Sequence, residues 1–179
     1  VTPNGSYQNK GQSSYGGIAG VSENGTRVVN CTSSYDIKWP KSSSCKQTDG
    51  NVCCIGGVVA RINEGLAEIT NCTNIGALWN WHYNNKTWVK GKNVSCSVTG
   101  GIIGLFGGSA GLDPETSNIR ITGCTNSGET ETARGIGGGI AGVLVNAEIK
   151  SCAFTGGFPY MNTYYRNPRI GGICGAVEN

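Results

Sequence analysis

One pattern recurs five times along the chain, and it constrains the fold more than any other feature. A glycine pair, a β-branched residue and a small residue stand together as Gly16-Gly17-Ile18-Ala19-Gly20, and Val28-Val29-Asn30-Cys31-Thr32 follows. The two segments return as Gly56-Gly57-Val58-Val59-Ala60 with Ile69-Thr70-Asn71-Cys72-Thr73. They return again as Gly100-Gly101-Ile102-Ile103-Gly104 with Ile121-Thr122-Gly123-Cys124-Thr125, and as Gly138-Gly139-Ile140-Ala141-Gly142 with Ile149-Lys150-Ser151-Cys152-Ala153. A fifth copy, Gly171-Gly172-Ile173-Cys174-Gly175, runs to Asn179 without its second segment. Copies spaced roughly 33 to 44 residues apart are the signature of stacked repeats. Helical periodicity of useful length is absent, and short alternating runs are separated by turn residues such as Asn24-Gly25. The expected fold is all-β: a β-solenoid, parallel β-helix-like, of about four and a half repeats with loop insertions. The chain reads as a single repeat domain over 1–179, with copies near 16–55, 56–99, 100–137 and 138–170 and a partial copy at 171–179.

Stacking is testable within the sequence by counting back from the aligned cysteines Cys31, Cys72, Cys124 and Cys152. Three residues earlier stand Val28, Ile69, Ile121 and Ile149, all β-branched, as an inward strand position requires. Five residues earlier stand Thr26, Ala67, Ile119 and Ala147, small or apolar. Between them lie Arg27, Glu68, Arg120 and Glu148, an outward column whose sign alternates from copy to copy. If each copy lies on the last, opposite charges become neighbours ~4.8 Å apart, each pair contributing ~0.2–1 kcal/mol. The alternation breaks one residue before each cysteine, at Asn30, Asn71, Gly123 and Ser151, so a bulge or corner is expected there. The glycine pairs mark another corner, and the column Ile18, Val58, Ile102, Ile140 and Ile173 is the candidate apolar stack. The column Gly20, Ala60, Gly104, Gly142 and Gly175 points to close packing across a thin core.

Composition bounds the function. Charged residues make up 14% of the chain and the net charge is +3, so there is no dense basic patch for a nucleic acid. No apolar run is long enough to span a bilayer. Nine cysteines and six Asn-x-Ser/Thr sequons point to an oxidising secretory route and an extracellular or cell-surface location. The glycosylation candidates are Asn4, Asn24, Asn30, Asn71, Asn85 and Asn93; a bacterial protein with unused sequons is the other reading. The odd cysteine count leaves at least one thiol unpaired or paired to another chain.

Residues 1–15 carry no core signal, and polar segments near 33–55, 78–99 and 158–168 read as insertions. Stacked equivalents of the column cysteines have Cβ vectors too parallel for good disulfides, which favours small buried hydrophobes over bridges within the column. Cys45, Cys53, Cys54 and Cys96 flank long loops and are the disulfide candidates, with Cys45–Cys53 and Cys54–Cys96 as one guess at connectivity. The aromatic stretch 78–90 offers Trp79, Trp81, Tyr83 and Trp88 as ligand contacts, for instance to sugars; a lid folded on its own rings is the alternative. His82 is the only histidine, Asp36, Asp49 and Asp113 are scattered and the glutamates are unpaired, so no catalytic residue and no metal site is assigned and no cofactor is expected.

The skeleton Gly-Gly-[Ile/Val]-x-[Gly/Ala], then [Ile/Val]-x-[Asn/Gly/Ser]-Cys-[Thr/Ala]-x-x-Gly, resembles the GLUG-motif repeats of bacterial surface and adhesin-like proteins and of some large secreted proteases. The final glycine is Gly76, Gly128 and Gly156, with Tyr35 in its place in the first copy. The resemblance covers the repeat skeleton and not the insertions. It implies β-solenoid-like stacking at a cell surface and carries over no catalytic residue.

The unfinished copy is the strongest functional hint. Gly172-Ile173-Cys174-Gly175 through Glu178-Asn179 parallels Gly17-Ile18-Ala19-Gly20 through Glu23-Asn24, and residues 1–15 of a neighbouring unit have the polar character of the missing tail. The first expectation is therefore a non-enzymatic extracellular subunit that stacks head to tail on itself into a surface fibre, with glycans on its surface and Cys174 as an intersubunit thiol. An excised part of a longer tandem protein is the other reading of the same ends. A carbohydrate- or host-binding adhesin segment using residues 78–90 is the second expectation, and a β-helical polysaccharide-degrading enzyme the third.

Overall fold

The computed structural model describes residues 13–39, 52–63, 65–80, 96–107, 117–132, 135–159 and 169–178. Within them every regular element is a strand, and the chain winds through successive rungs of the same plan. The first rung comprises β1 (Ser13–Gly16), β2 (Ala19–Ser22), β3 (Thr26–Val29), β4 (Thr32–Ser33) and β5 (Ile37–Trp39). The second comprises β6 (Val52–Gly56), β7 (Val59–Ile62), β8 (Leu66–Thr70), β9 (Thr73–Asn74) and β10 (Leu78–Asn80). The third comprises β11 (Cys96–Gly100), β12 (Ile103–Phe106), β13 (Asn118–Thr122), β14 (Thr125–Asn126) and β15 (Thr130–Thr132). The fourth holds β16 (Gly135–Gly138), β17 (Ala141–Val145), β18 (Ala147–Lys150) and β19 (Ala153–Phe154), and the last holds β20 (Arg169–Gly171) and β21 (Cys174–Glu178).

Equivalent strands of successive rungs pair in parallel and build five sheets, here A to E in the order met along a rung. The register is the one the cysteine alignment implies: Val28 on Ile69, Ile69 on Ile121, Ile121 on Ile149. The fold is a parallel β-solenoid, as the repeat pattern requires.

Two corners shape each rung. The corner between sheets C and D falls at Asn30, Asn71, Gly123 and Ser151, whose φ values are 54°, 51°, 62° and 52°. This left-handed backbone is why the inward-outward alternation slips one residue before each cysteine, and why only Asn, Gly and Ser occupy the site. The glycine-pair corner between sheets A and B has a different cause, because none of those glycines adopts positive φ. A Cβ on Gly57 or Gly101 would collide with the carbonyl of the next rung's glycine and with the Asn74 or Asn126 side chain. The pair is needed for close approach and not for unusual dihedrals.

Beyond that corner, sheet B folds back on sheet A, and Cys54, Val98 and Ile136 of A meet Ala60, Leu105 and Val143 of B. The other face of B packs against C and the cysteine column around Val58, Ile102 and Ile140. The other face of A meets E through Ile37, Ile55, Leu78 and Tyr15. Each of the first three rungs is thus a narrow A–B hairpin held in a clasp made of C, D and E. The hairpin is narrow because the small-residue column packs directly on the backbone of sheet A: a Cβ on Gly104 would strike the Ile55 carbonyl. Sheet D closes the clasp over the hairpin tip, where Asn74 and Asn126 are fully buried and Asn74 Nδ2 donates to Asn126 Oδ1 at 2.9 Å.

The structure corrects the element boundaries expected from the sequence. A strand precedes every described glycine pair, so the first rung opens at Ser13 within a segment read as signal-free. The strands β5, β6, β10 and β11 occupy positions read largely as insertions, and the short strands of sheet D and β15 were not expected as strands. Inward residues of sheets A, D and E include Asn74, Asn80, Ser97, Thr99, Asn126 and Thr130, all buried at 0% exposure. Polar residues turned into a narrow fold leave no apolar alternation to read.

Candidate functional site

The aromatic candidates are only partly placed. Trp79 sits on β10, half-buried, and the Lys38 ammonium lies 3.8 Å from its ring centroid, a cation–π contact. Lys38 Nζ is also 3.4 Å from Asp36 Oδ2, and the Ala77 amide donates to Asp36 Oδ1 at 3.0 Å. That amide, with Lys38 beside it, holds the Asp36 carboxyl below its usual range. One face of Trp79 is therefore covered by its register partner on the preceding rung. Trp81, His82, Tyr83 and Trp88 lie outside the described residues.

The column cysteines are thiols, and no disulfide forms among the described residues. Each points into the core just past the left-handed corner. Cys72 Sγ donates to the Thr70 carbonyl at 3.3 Å and Cys124 Sγ to the Thr122 carbonyl at 3.4 Å. The next rung's sulfur in turn accepts from the backbone: the Cys72 amide donates to Cys124 Sγ and the Cys124 amide to Cys152 Sγ, both at 3.4 Å. Burial pushes the Cys72 thiol up. In the Cys124–Cys152 pair the hydrogen bond from Cys124 holds Cys152 down, at about 7, and Cys124 is pushed up as its partner ionises first.

Cys53 and Cys54 lie in β6, buried in the core and not on a loop. Cys96 opens β11 opposite Val52, while Cys54 stands opposite Val98, so the register does not set Cys54 against Cys96. Cys45 lies outside the described residues. Cys174 opens β21 on the last rung, opposite Ala141, and burial raises its thiol to about 11. Of the sequons, Asn24, Asn30 and Asn71 are exposed, and Asn24 Oδ1 accepts from the Leu66 amide at 2.9 Å. Asn4, Asn85 and Asn93 lie outside the described residues.

The outward face of sheet C carries the charge ladder. Arg27 is the register partner of Glu68, Glu68 of Arg120, and Arg120 of Glu148. Arg27 Nε lies 3.2 Å from Glu68 Oε2, and Arg120 Nε 3.4 Å from Glu148 Oε2. Lys150 adds a second cation to Glu148 and holds its carboxyl below the usual range. On this face lies an open groove of about 630 Å³, lined by Leu66 and Asn118, by Arg27, Glu68 and Arg120, and by Thr70 and Thr122.

Among the described residues, the two ends of the solenoid form a second exposed apolar surface. The stack Val58, Ile102, Ile140 is 0% exposed, but its terminal members Ile18 and Ile173 are 48% and 39% exposed, and Val177 on the last rung is 55% exposed. Sequence columns identified Ile18 and Ile173, whereas the Asn74–Asn126 ladder was missed. The Asn-x-Gly recurring after each Cys-Thr in the second and third copies was its signal.

Among the described residues no three His, Cys, Asp or Glu side chains cluster as metal ligands, and no helix is long and apolar enough to cross a membrane. No protein-family model matches the chain, and neither a curated protein nor a solved structure matches it.

Proposed function

We propose that the chain is a non-enzymatic structural repeat unit of an extracellular fibre, and that copies join head to tail by stacking terminal rungs. The observation that carries this reading is the exposure of Ile18 and Ile173, the two ends of a column that is otherwise fully buried. Parallel in-register sheets end in rows of unpaired backbone donors and acceptors, which a further rung of the same plan satisfies. Covering each half-exposed isoleucine contributes ~1–2 kcal/mol on top of the backbone bonds. The contact is heterologous, one end on the other, so it does not close and it propagates. Exposed Asn71, on the second rung, offers a glycan site on the flank of such a fibre, and Cys174, on the last rung, is the thiol nearest to a stacking neighbour.

Sedimentation velocity of the purified protein tests this reading, using Ile18→Lys and Ile173→Lys as end-blocking variants. The wild type is expected to form rods that lengthen with concentration, and each variant alone to remain short. An equimolar mixture of the two variants recovers dimers, because each contributes one intact end. A wild type that stays monomeric at high concentration contradicts the proposal.

A further inference from the structure

The charge ladder on sheet C has a symmetry that stacking along the solenoid does not use. Read along the axis it is Arg27, Glu68, Arg120, Glu148, at strand spacings of ~4.8 Å. Reversed, the same column reads Glu, Arg, Glu, Arg, which is its complement at every position. A two-fold axis running along the strand direction, between β8 and β13, reverses the solenoid axis and preserves the strand direction. It sets Arg27 against Glu148 of a second copy and Glu68 against Arg120 of that copy. The same operation sets Thr70 against Thr122 in the neighbouring row; Thr70 donates its own hydroxyl proton to Glu68 Oε1 at 2.9 Å and keeps lone pairs that can accept from a facing hydroxyl.

The side chains are positioned to make this contact. Arg27 and Arg120 are 69% and 72% exposed, and each bridges its own glutamate through Nε. A guanidinium has five N–H donors, so this leaves its terminal nitrogens for a second carboxylate. Glu68 and Glu148 are 43% and 42% exposed; each holds its own arginine and one further donor, Thr70 and Lys150 respectively, and a carboxylate has lone pairs left for another N–H. The fourfold alternation thus serves two registers at once, down the ladder within one chain and across to another.

We propose that the outward face of sheet C is a lateral interface, pairing two copies antiparallel about a two-fold axis. An isologous contact requires a self-complementary patch, and this column is one. The face is four short strands wide, below the area of a stable standard-size interface, so the pair is weak for isolated units and strengthens when many units align along two fibres. Exposed charges are screened over about 8 Å at physiological ionic strength, so the contact dissolves with salt.

The test uses the chain with both ends blocked by Ile18→Lys and Ile173→Lys, so that end stacking does not contribute. Sedimentation equilibrium at high protein concentration is expected to show a dimer in low salt and a monomer in 0.5 M salt, a value on the order of where screening falls to a few ångströms. Adding Arg120→Glu with Glu148→Arg keeps the net charge and the pairing of those two residues but makes the ladder a palindrome, Arg-Glu-Glu-Arg. Like charges then face each other across the two-fold axis, and the dimer is lost at every salt concentration. Inverting all four positions, with Arg27→Glu and Glu68→Arg added, restores complementarity and restores the dimer. Circular dichroism checks that each variant keeps its strands. A monomer in low salt, or a dimer that survives the palindromic variant, overturns the proposal.

Discussion

At the scale of single residues, the left-handed corner is the position where side-chain identity and backbone conformation are most tightly linked. Asn30, Asn71 and Gly123 suit φ near +50° to +60°, Asn because its short polar side chain tolerates that region and Gly because it has no Cβ. Ser151 adopts φ 52° with less compensation. Ser151→Asn is therefore expected to raise stability by ~0.5–1 kcal/mol, and Asn71→Val, β-branched at the same dihedrals, to lower it by ~1–2 kcal/mol. Urea unfolding midpoints at constant slope check both. This corner was legible in the sequence because the one-residue slip before each cysteine leaves few physical alternatives. The glycine pairs were legible as a corner too, but their cause was not. Only the neighbouring rung and the Asn74 and Asn126 side chains explain why a Cβ is excluded there.

At the scale of elements, sheets B and C were readable and sheets A, D and E were not. Val28, Ile69, Ile121 and Ile149 carry an apolar signal at period two, and the strands around them follow from it. Strands such as Thr73–Asn74 and Thr125–Asn126 have two residues each, one of them a buried asparagine, and no periodicity can be read from two residues. What holds sheet D is its hydrogen bonding. Asn126 Nδ2 donates to Thr130 Oγ1 and to the Gly139 carbonyl, and the Gly128 amide donates to Asn126 Oδ1. The ladder stops at the first rung, where Ser33 replaces asparagine and both Ser33 Oγ and Asn74 Oδ1 are buried without a hydrogen-bond partner among the described residues. Ser33→Asn extends the ladder, its Nδ2 donating to Asn74 Oδ1, and is expected to add ~1 kcal/mol. The reverse change, Asn74→Ala, removes the donor to Asn126 and is expected to cost ~1–3 kcal/mol. Thermal unfolding of the two variants beside the wild type reads both shifts, and a destabilised Ser33→Asn contradicts the ladder account.

At the scale of the whole molecule, the two surfaces proposed for association are the apolar ends of the solenoid and its charged flank. The ends are marked by columns buried in every middle rung and exposed at Ile18 and Ile173, and the flank by charges that alternate down sheet C. Both surfaces rest on columns visible in the sequence, because stacking turns equivalent residues of each copy into neighbours. The aromatic segment was less informative. Its described member, Trp79, meets Lys38 through a register that the sequence alone does not supply. The central claim, that rungs continue from one copy to the next, is tested most directly by fibre diffraction or electron microscopy of aligned assemblies. The account predicts an axial strand repeat of ~4.8 Å and a subunit repeat of about 24 Å, five rungs per copy along one axis. Discrete particles with no axial repeat, or fibres whose strands run along the axis instead of across it, contradict it.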